Sequence, residues 1–192
     1  MGDINPTAAK IADLAEQLIQ ERGFNCFSFR DIQDELGIKT ASIHYHYKTK
    51  QDLAVAVFER YLARYQASLE EIAIRECSAK EKLIALADIF ISVRRSNKLC
   101  LCGMYASDFY SLTDHLQHAL QTFVNLNEHW VAQQVSDGIE QGEFETRIPA
   151  EQAARLYFNA LEGSMLLSRF QDADYIQQAA SDFFLVVFNE NI

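Results

Sequence analysis

Glycine and proline are scarce, 7 and 2 among 192 residues. Few chain breaks are therefore expected, and a helical protein is favoured. No apolar run approaches the ~18 residues a membrane-crossing helix needs. The first residues, Met1 to Pro6, lack the basic and apolar regions of a secretory signal, so a cytoplasmic protein is expected. The four cysteines show no CxxC spacing, which removes the usual zinc and redox motifs and points to reduced thiols. No Glu-xx-His, GxSxG or glycine-rich phosphate loop occurs. No catalytic residue, metal ligand or cofactor is therefore assigned, and the chain is not expected to be an enzyme. Positive charge is short as well. The net charge of −10 argues against a protein that coats nucleic acid generally. Its distribution matters more: residues 1–65 carry 8 basic against 9 acidic groups, and the remainder 9 against 18.

What is present is helical periodicity. Residues 6–22 place Ile11, Leu14, Ala15, Leu18 and Ile19 on one apolar stripe, ending at Gly23. Phe24, Phe27 and Phe29 then cluster before a second helix, with Tyr47 as a further aromatic plug. Ser28 and Asp31 form a capping box for that helix, and Gly37 ends it. Three residues on, Thr40 is placed as cap of a third helix running Ala41 to Tyr47. So short a turn forces a steep crossing, the helix-turn-helix geometry that lays a helix into the major groove. Thr49 and Asp52 box a long helix over about 50–76, read as a connector. Further capping boxes are predicted at Ser78/Glu81 and Ser111/Asp114, with Pro149 at the first position of a later helix. The last two helices are apolar over more than one face and need a second burial partner, which predicts a twofold mate.

The fold class that follows is all-α. An N-terminal three-helix unit (1–50) is joined by a long helix to a larger helical bundle (51–192), about nine helices in total. Within the motif Arg30, Lys39, Lys48 and Lys50 outnumber Asp31, Asp34 and Glu35, a modest footprint for a phosphate backbone that two copies would strengthen.

Residues 11–53 resemble the DNA-binding domain of TetR/AcrR regulators. Gly23-Phe24, Ser28 to Ile32, Leu36-Gly37-Ile38, Ser42-Ile43, His46-Tyr47, Lys50 and Leu53 fall in register with the family pattern. The chain departs from it at Gln33 and Leu36, where alanine is usual, and at His44, where tyrosine is usual. The resemblance implies a DNA-binding set of Ser28, Lys39, Thr40, Ala41, Ser42, His44, Tyr45, His46 and Lys50, with Lys50 at a phosphate. It also implies a C-terminal domain that binds a small, often lipophilic, effector.

Phe90, Cys102, Tyr105, Phe109, Phe123, Trp130 and Tyr157 are candidates to line such a cavity, although each singly reads as core. Asn127, Asn159 and Ser164 are candidates to orient a ligand. Leu156, Leu161, Ser164, Phe183, Phe184 and Val187 are the candidate dimer contacts. Cys100 and Cys102 with Met104 could form a thiol or soft-metal site but read better as small buried apolar groups. His115 and His118, three apart, lack a third ligand. The reading that results is a homodimeric repressor on a palindromic double-stranded operator, released by a small effector, with no membrane association. A helical-bundle enzyme or carrier, and a regulator acting by protein contact alone, are the alternatives.

Overall fold

The computed structural model describes residues 5–172 and 174–189. Among the described residues there are nine α-helices and no strand: α1 Pro6–Arg22, α2 Phe29–Leu36, α3 Thr40–His46, α4 Lys50–Ala73, α5 Ala79–Arg95, α6 Leu101–Ala106, α7 Asp114–Glu140, α8 Ala150–Leu167 and α9 Asp174–Phe188. Short 3-10 turns stand at Phe24–Cys26 and Phe109–Ser111. The helices divide between two compact units. The first takes the chain up to Arg64 together with Leu101–Gln121; the second takes Tyr65–Cys100 and the chain from Thr122 on.

In the first unit Ile11, Ala15, Leu18 and Ile19 of the expected α1 stripe, together with Ala12, are buried with Phe24, Phe27, Ile32, Ile43 and Leu53, while Leu14 is half-buried. Helix α6 packs on α1. Its Tyr105 ring meets Phe24 and Phe58 at 5.8 and 5.7 Å, and its hydroxyl donates to the Ala54 carbonyl at 3.1 Å. Asp108 accepts from the Asn25 amide nitrogen at 2.8 Å, and Gln51 donates to the Ser111 carbonyl at 2.6 Å. Helices α1, α2, α3, α4 and α6 gain a shared core this way, which none could form alone. Arg60 and Arg64 of α4 pair with Asp13 and Glu16 of α1, each at 2.6 Å.

In the second unit α5, α8 and α9 pack on one another around Leu83, Leu86, Phe90, Tyr157, Phe158, Leu161 and Phe184. The Tyr157 hydroxyl donates to the Leu83 carbonyl at 2.8 Å, and Tyr65 bonds the buried Asn127. Phe144 stacks on Phe188 at 4.1 Å and lies so close to Gly138 that a Cβ there would stand 2.3 Å from its ring.

The boxes at Ser28/Asp31, Thr49/Asp52 and Ser78/Glu81 form as expected. The one at Ser111/Asp114 does not. Ser111 donates to the Asp108 carbonyl instead, and Thr113 accepts from Leu116 N–H at the start of α7. Ser111 stands three residues ahead of the helix and Thr113 one, and only the tertiary path decides between them. Pro149 stands one residue before α8 rather than inside it. Helix α4 stops at Ala73 rather than Glu76.

Candidate nucleic-acid interface

The head is built on α2, the turn Gly37-Ile38-Lys39 and α3. Ser28 accepts from Asp31 N–H at 3.4 Å, while the Asp31 carboxylate accepts from Ser28 N–H at 2.7 Å. The Ser28 hydroxyl, donating to the Asp31 carboxylate at 2.6 Å, and then the Ser28 N–H hold the Asp31 carboxyl below its ordinary value. Gly37 takes φ 65, ψ 27, the left-handed conformation that closes α2 without a Cβ penalty. Ile32 and Ile43, both fully buried, are the contact of α2 and α3 with the core. Beyond α3, the Tyr47 hydroxyl donates to the Ala8 carbonyl of α1 at 3.1 Å. Burial raises the Tyr47 pKa, so the phenol stays a donor.

With Ile43 turned inward, Ala41, His44 and Tyr45 are exposed and Ser42 and His46 half-buried; Tyr45 is 83% exposed. Large aromatic surface of this kind is not left in water by packing needs. The His44 ring packs on Phe29 at 5.0 Å, and its Nδ1 lies 3.1 Å from the Lys48 carbonyl. A carbonyl only accepts, so Nδ1 carries the hydrogen and a neutral His44 keeps Nε2 as an acceptor. Tyr45 and His46 stand edge to face at 5.0 Å.

Lys50 is not a free surface lysine. Its ammonium lies over the rings of Phe24 and Phe27, 4.6 and 4.4 Å from their centroids. Burial lowers its pKa while Asp108, Cys26 and Asp31 pull the other way, and the two rings hold the side chain at the start of α4. The hydroxyl of Ser28 is used within its own cap, where it donates to Asp31 at 2.6 Å. Lys39 rather than Thr40 occupies the cap position of α3 and makes no side-chain cap bond. A lysine has only donors, so it cannot cap. The oxygen comes from α2: Gln33 Oε1 accepts from Thr40 N–H at 3.2 Å and from the Thr40 hydroxyl. In the sequence Gln33 shows only as a polar residue where the family pattern has alanine, six residues ahead of Lys39.

The expected effector residues divide between the units. Cys102, Tyr105 and Phe109 belong to the first, and Phe90, Phe123, Trp130 and Tyr157 to the second. Tyr105 and Tyr157 are fully buried and satisfied, Phe109 is exposed, and Trp130 keeps a buried indole N–H without a hydrogen-bond acceptor. Two grooves open on the second unit. One is polar, about 430 Å³, with Asn125, His129, Gln133 and Arg155 among its walls; the other runs from Gly142 to Ile148 beside Leu185 and Val186. Neither is lined by those aromatics. Asn127 is buried and bonded to Tyr65 and the Phe123 carbonyl, and Asn159 is exposed.

The dimer candidates need correction. Leu161, Phe183 and Phe184 are buried in their own chain, and Ser164 donates to the Leu161 carbonyl at 3.0 Å. These four have no surface left for a mate, because α5, α8 and α9 consume it. Leu156 is exposed and Val187 half-buried; the open apolar surface of α8 and α9 is Leu156, Leu166, Leu167, Leu185 and Val186. Cys100 and Cys102 are both buried, and among the described residues no three His, Cys, Asp or Glu side chains gather as a metal site. His115 faces Glu59 at 3.1 Å, and His118 Nδ1 bonds the Asp114 carbonyl. No helix of the described residues is long and apolar enough to cross a membrane.

Known proteins carry the same architecture. Residues 11–57 match the family of bacterial regulatory proteins, tetR family, and residues 79–183 match the tetracyclin repressor-like C-terminal domain. A TetR transcriptional regulator from Legionella pneumophila is 33% identical, with a TM-score of 0.84 over 96% of this chain and 99% of that one. A TetR-family regulator from Agrobacterium tumefaciens is 25% identical, with a TM-score of 0.90 over 96% and 100%. A fatty acid metabolism regulator protein of Bacillus subtilis is 20% identical over 92% of this chain and 91% of its own. The two matched segments take in both the reading head and most of the helical bundle, and the chain belongs to the TetR family of DNA-binding transcriptional regulators.

Proposed function

We propose that this regulator is a ligand-responsive repressor that binds a palindromic operator as a homodimer. The observation that carries the reading is α3: one side anchored by Ile43, the other presenting Ser42, His44 and Tyr45 from a helix held at both ends. Short or planar hydrogen-bonding groups on a braced helix suit base edges in a major groove. His44, with Nε2 as acceptor, suits the amino group of adenine or cytosine there. Lys39, Lys48 and Lys50 supply phosphate contacts. In a homodimer, two such heads would read successive major grooves about 34–36 Å apart.

The mate would cover Leu156, Leu166, Leu167, Leu185 and Val186, apolar side chains that α8 and α9 leave in water. Residues 1–50 would read DNA, and residues 51–192 would bind effector and mate. A small lipophilic effector fits a unit this rich in aromatics, and one relative is named for fatty acid metabolism. Effector binding would bias the heads through α4, which passes from the first unit into the second. A coupling of ~1–3 kcal/mol is typical and sufficient.

The test is a mobility shift with duplex DNA from upstream of its own gene, beside a scrambled duplex. Sequence-selective retention at physiological salt is expected. Equal retention of both duplexes, or of neither, refutes the reading.

A further inference from the structure

We propose that Gln33, on α2, is a positioning residue for DNA reading, supplying from the preceding helix the N-terminal cap that the recognition helix cannot make for itself. The inference rests on α3 being the reading helix.

A helix begins with backbone N–H groups that have no partner in the helix, and a short helix feels each loss most. Helix α3 has seven residues, and its cap position holds Lys39, with donors but no acceptor. Gln33 stands one turn before the end of α2. Its Oε1 takes both Thr40 N–H, at 3.2 Å, and the Thr40 hydroxyl. The amide orientation is determined, because a backbone N–H can only be met by the oxygen. The nitrogen end is engaged as well: Gln33 Nε2 donates to Asp34 Oδ1 at 3.3 Å, and Asp34 faces Arg30 at 3.8 Å. The bond therefore does two things at once. It satisfies the first amide of α3, and it ties that end of α3 to α2 across the Gly37 turn. A serine at position 39 would instead meet an amide further into α3, at Ala41 or Ser42, and would leave α3 untied from α2.

The angle between the two helices sets where Ser42, His44 and Tyr45 fall against base edges, whereas general attraction to phosphate tolerates a looser head. Loss of Gln33 should thus cost selective binding more than non-selective binding. The probe is the duplex that the wild-type protein retains selectively, compared with a scrambled duplex, by fluorescence anisotropy. Gln33→Ala is expected to lose about fivefold in affinity for the selected duplex, the order of one cap, and less than twofold for the scrambled one. Gln33→Glu keeps an acceptor at the same reach and should retain the selective-to-scrambled ratio. Amide exchange at Thr40 should quicken in Gln33→Ala and not in Gln33→Glu.

Unchanged selectivity in Gln33→Ala overturns the proposal. So do equal losses on both duplexes, which a merely structural role would give. Wild-type protein that retains no duplex overturns the regulator reading instead; quickened Thr40 exchange in Gln33→Ala would then show a cap without a reading role.

Discussion

Glu162 on α8 makes the stability of this protein depend on pH in an unusual direction. Its Oε1 is sealed from water and has no hydrogen-bond partner. Burial raises the carboxyl to about 7 from 4.5, and a bond from the Cys100 thiol opposes the rise without cancelling it. Between those two values the folded protein holds a proton that the unfolded chain releases. Stability therefore falls as pH rises from about 4.5 to about 7 and is level above that. At about 1.4 kcal/mol per pH unit, the ionised carboxyl costs about 3 kcal/mol above pH 7, an upper bound because part of the residue still meets water. Most of this appears between pH 5 and pH 8. Glu162→Gln keeps the shape and removes the ionisation. Its melting temperature relative to wild type should rise from pH 5 to pH 8 by roughly 5–10 °C, at about 2–4 °C per kcal/mol for a chain of this size. Cys100→Ala should act oppositely, lowering stability more at pH 8 than at pH 5. Thermal unfolding followed by circular dichroism in matched buffers reads both. A Glu162→Gln advantage that is the same at pH 5 and pH 8 would refute the reasoning.

Other expectations follow from the same packing. Gly138→Ala drives a methyl into the Phe144 ring and should destabilise by about 1–3 kcal/mol in urea unfolding, whereas Gly163→Ala, which meets nothing within 4 Å, should not. Asn127→Ala leaves the buried Tyr65 hydroxyl without its acceptor and should cost about 1–3 kcal/mol by the same measurement, more than an exposed asparagine such as Asn159. Lys50→Met keeps the stem beside Phe24 and Phe27 but removes the cation; affinity should fall on all duplexes alike, with the slope of log affinity against log salt shallower by about 1. Val186→Glu puts a charge on the open face of α9 and should shift the mass measured by light scattering towards the monomer.

Much of this protein was legible one turn of helix at a time. The stripe Ile11, Leu14, Ala15, Leu18 and Ile19 is fixed by a 3.6-residue period, and all but the half-buried Leu14 are buried. The Ser28/Asp31 and Ser78/Glu81 boxes join residues three apart, so local spacing is enough to specify them. Much of the reading head came through for the same reason: its turn glycine, the Ser28/Asp31 and Thr49/Asp52 boxes and its inward Ile43 are all near neighbours in the chain.

What the sequence could not settle depends on residues far apart, where pattern carries no partner. Phe183, Phe184 and Leu161 are as apolar as any dimer contact, and only the packing of α5, α8 and α9 shows that they are used up inside one chain. That α6 and the start of α7 belong with the reading head rests on Tyr105 meeting Ala54 and Asp108 meeting Asn25, bonds across 51 and 83 residues. The cap on α3 lies between these cases. Lys39 announces that a cap is missing, but a short loop crossing was needed to bring Gln33 within reach. Local chemistry therefore chose the helices and their ends. Long-range contact chose which apolar faces remained for partners, because burial is a property of the whole packed chain.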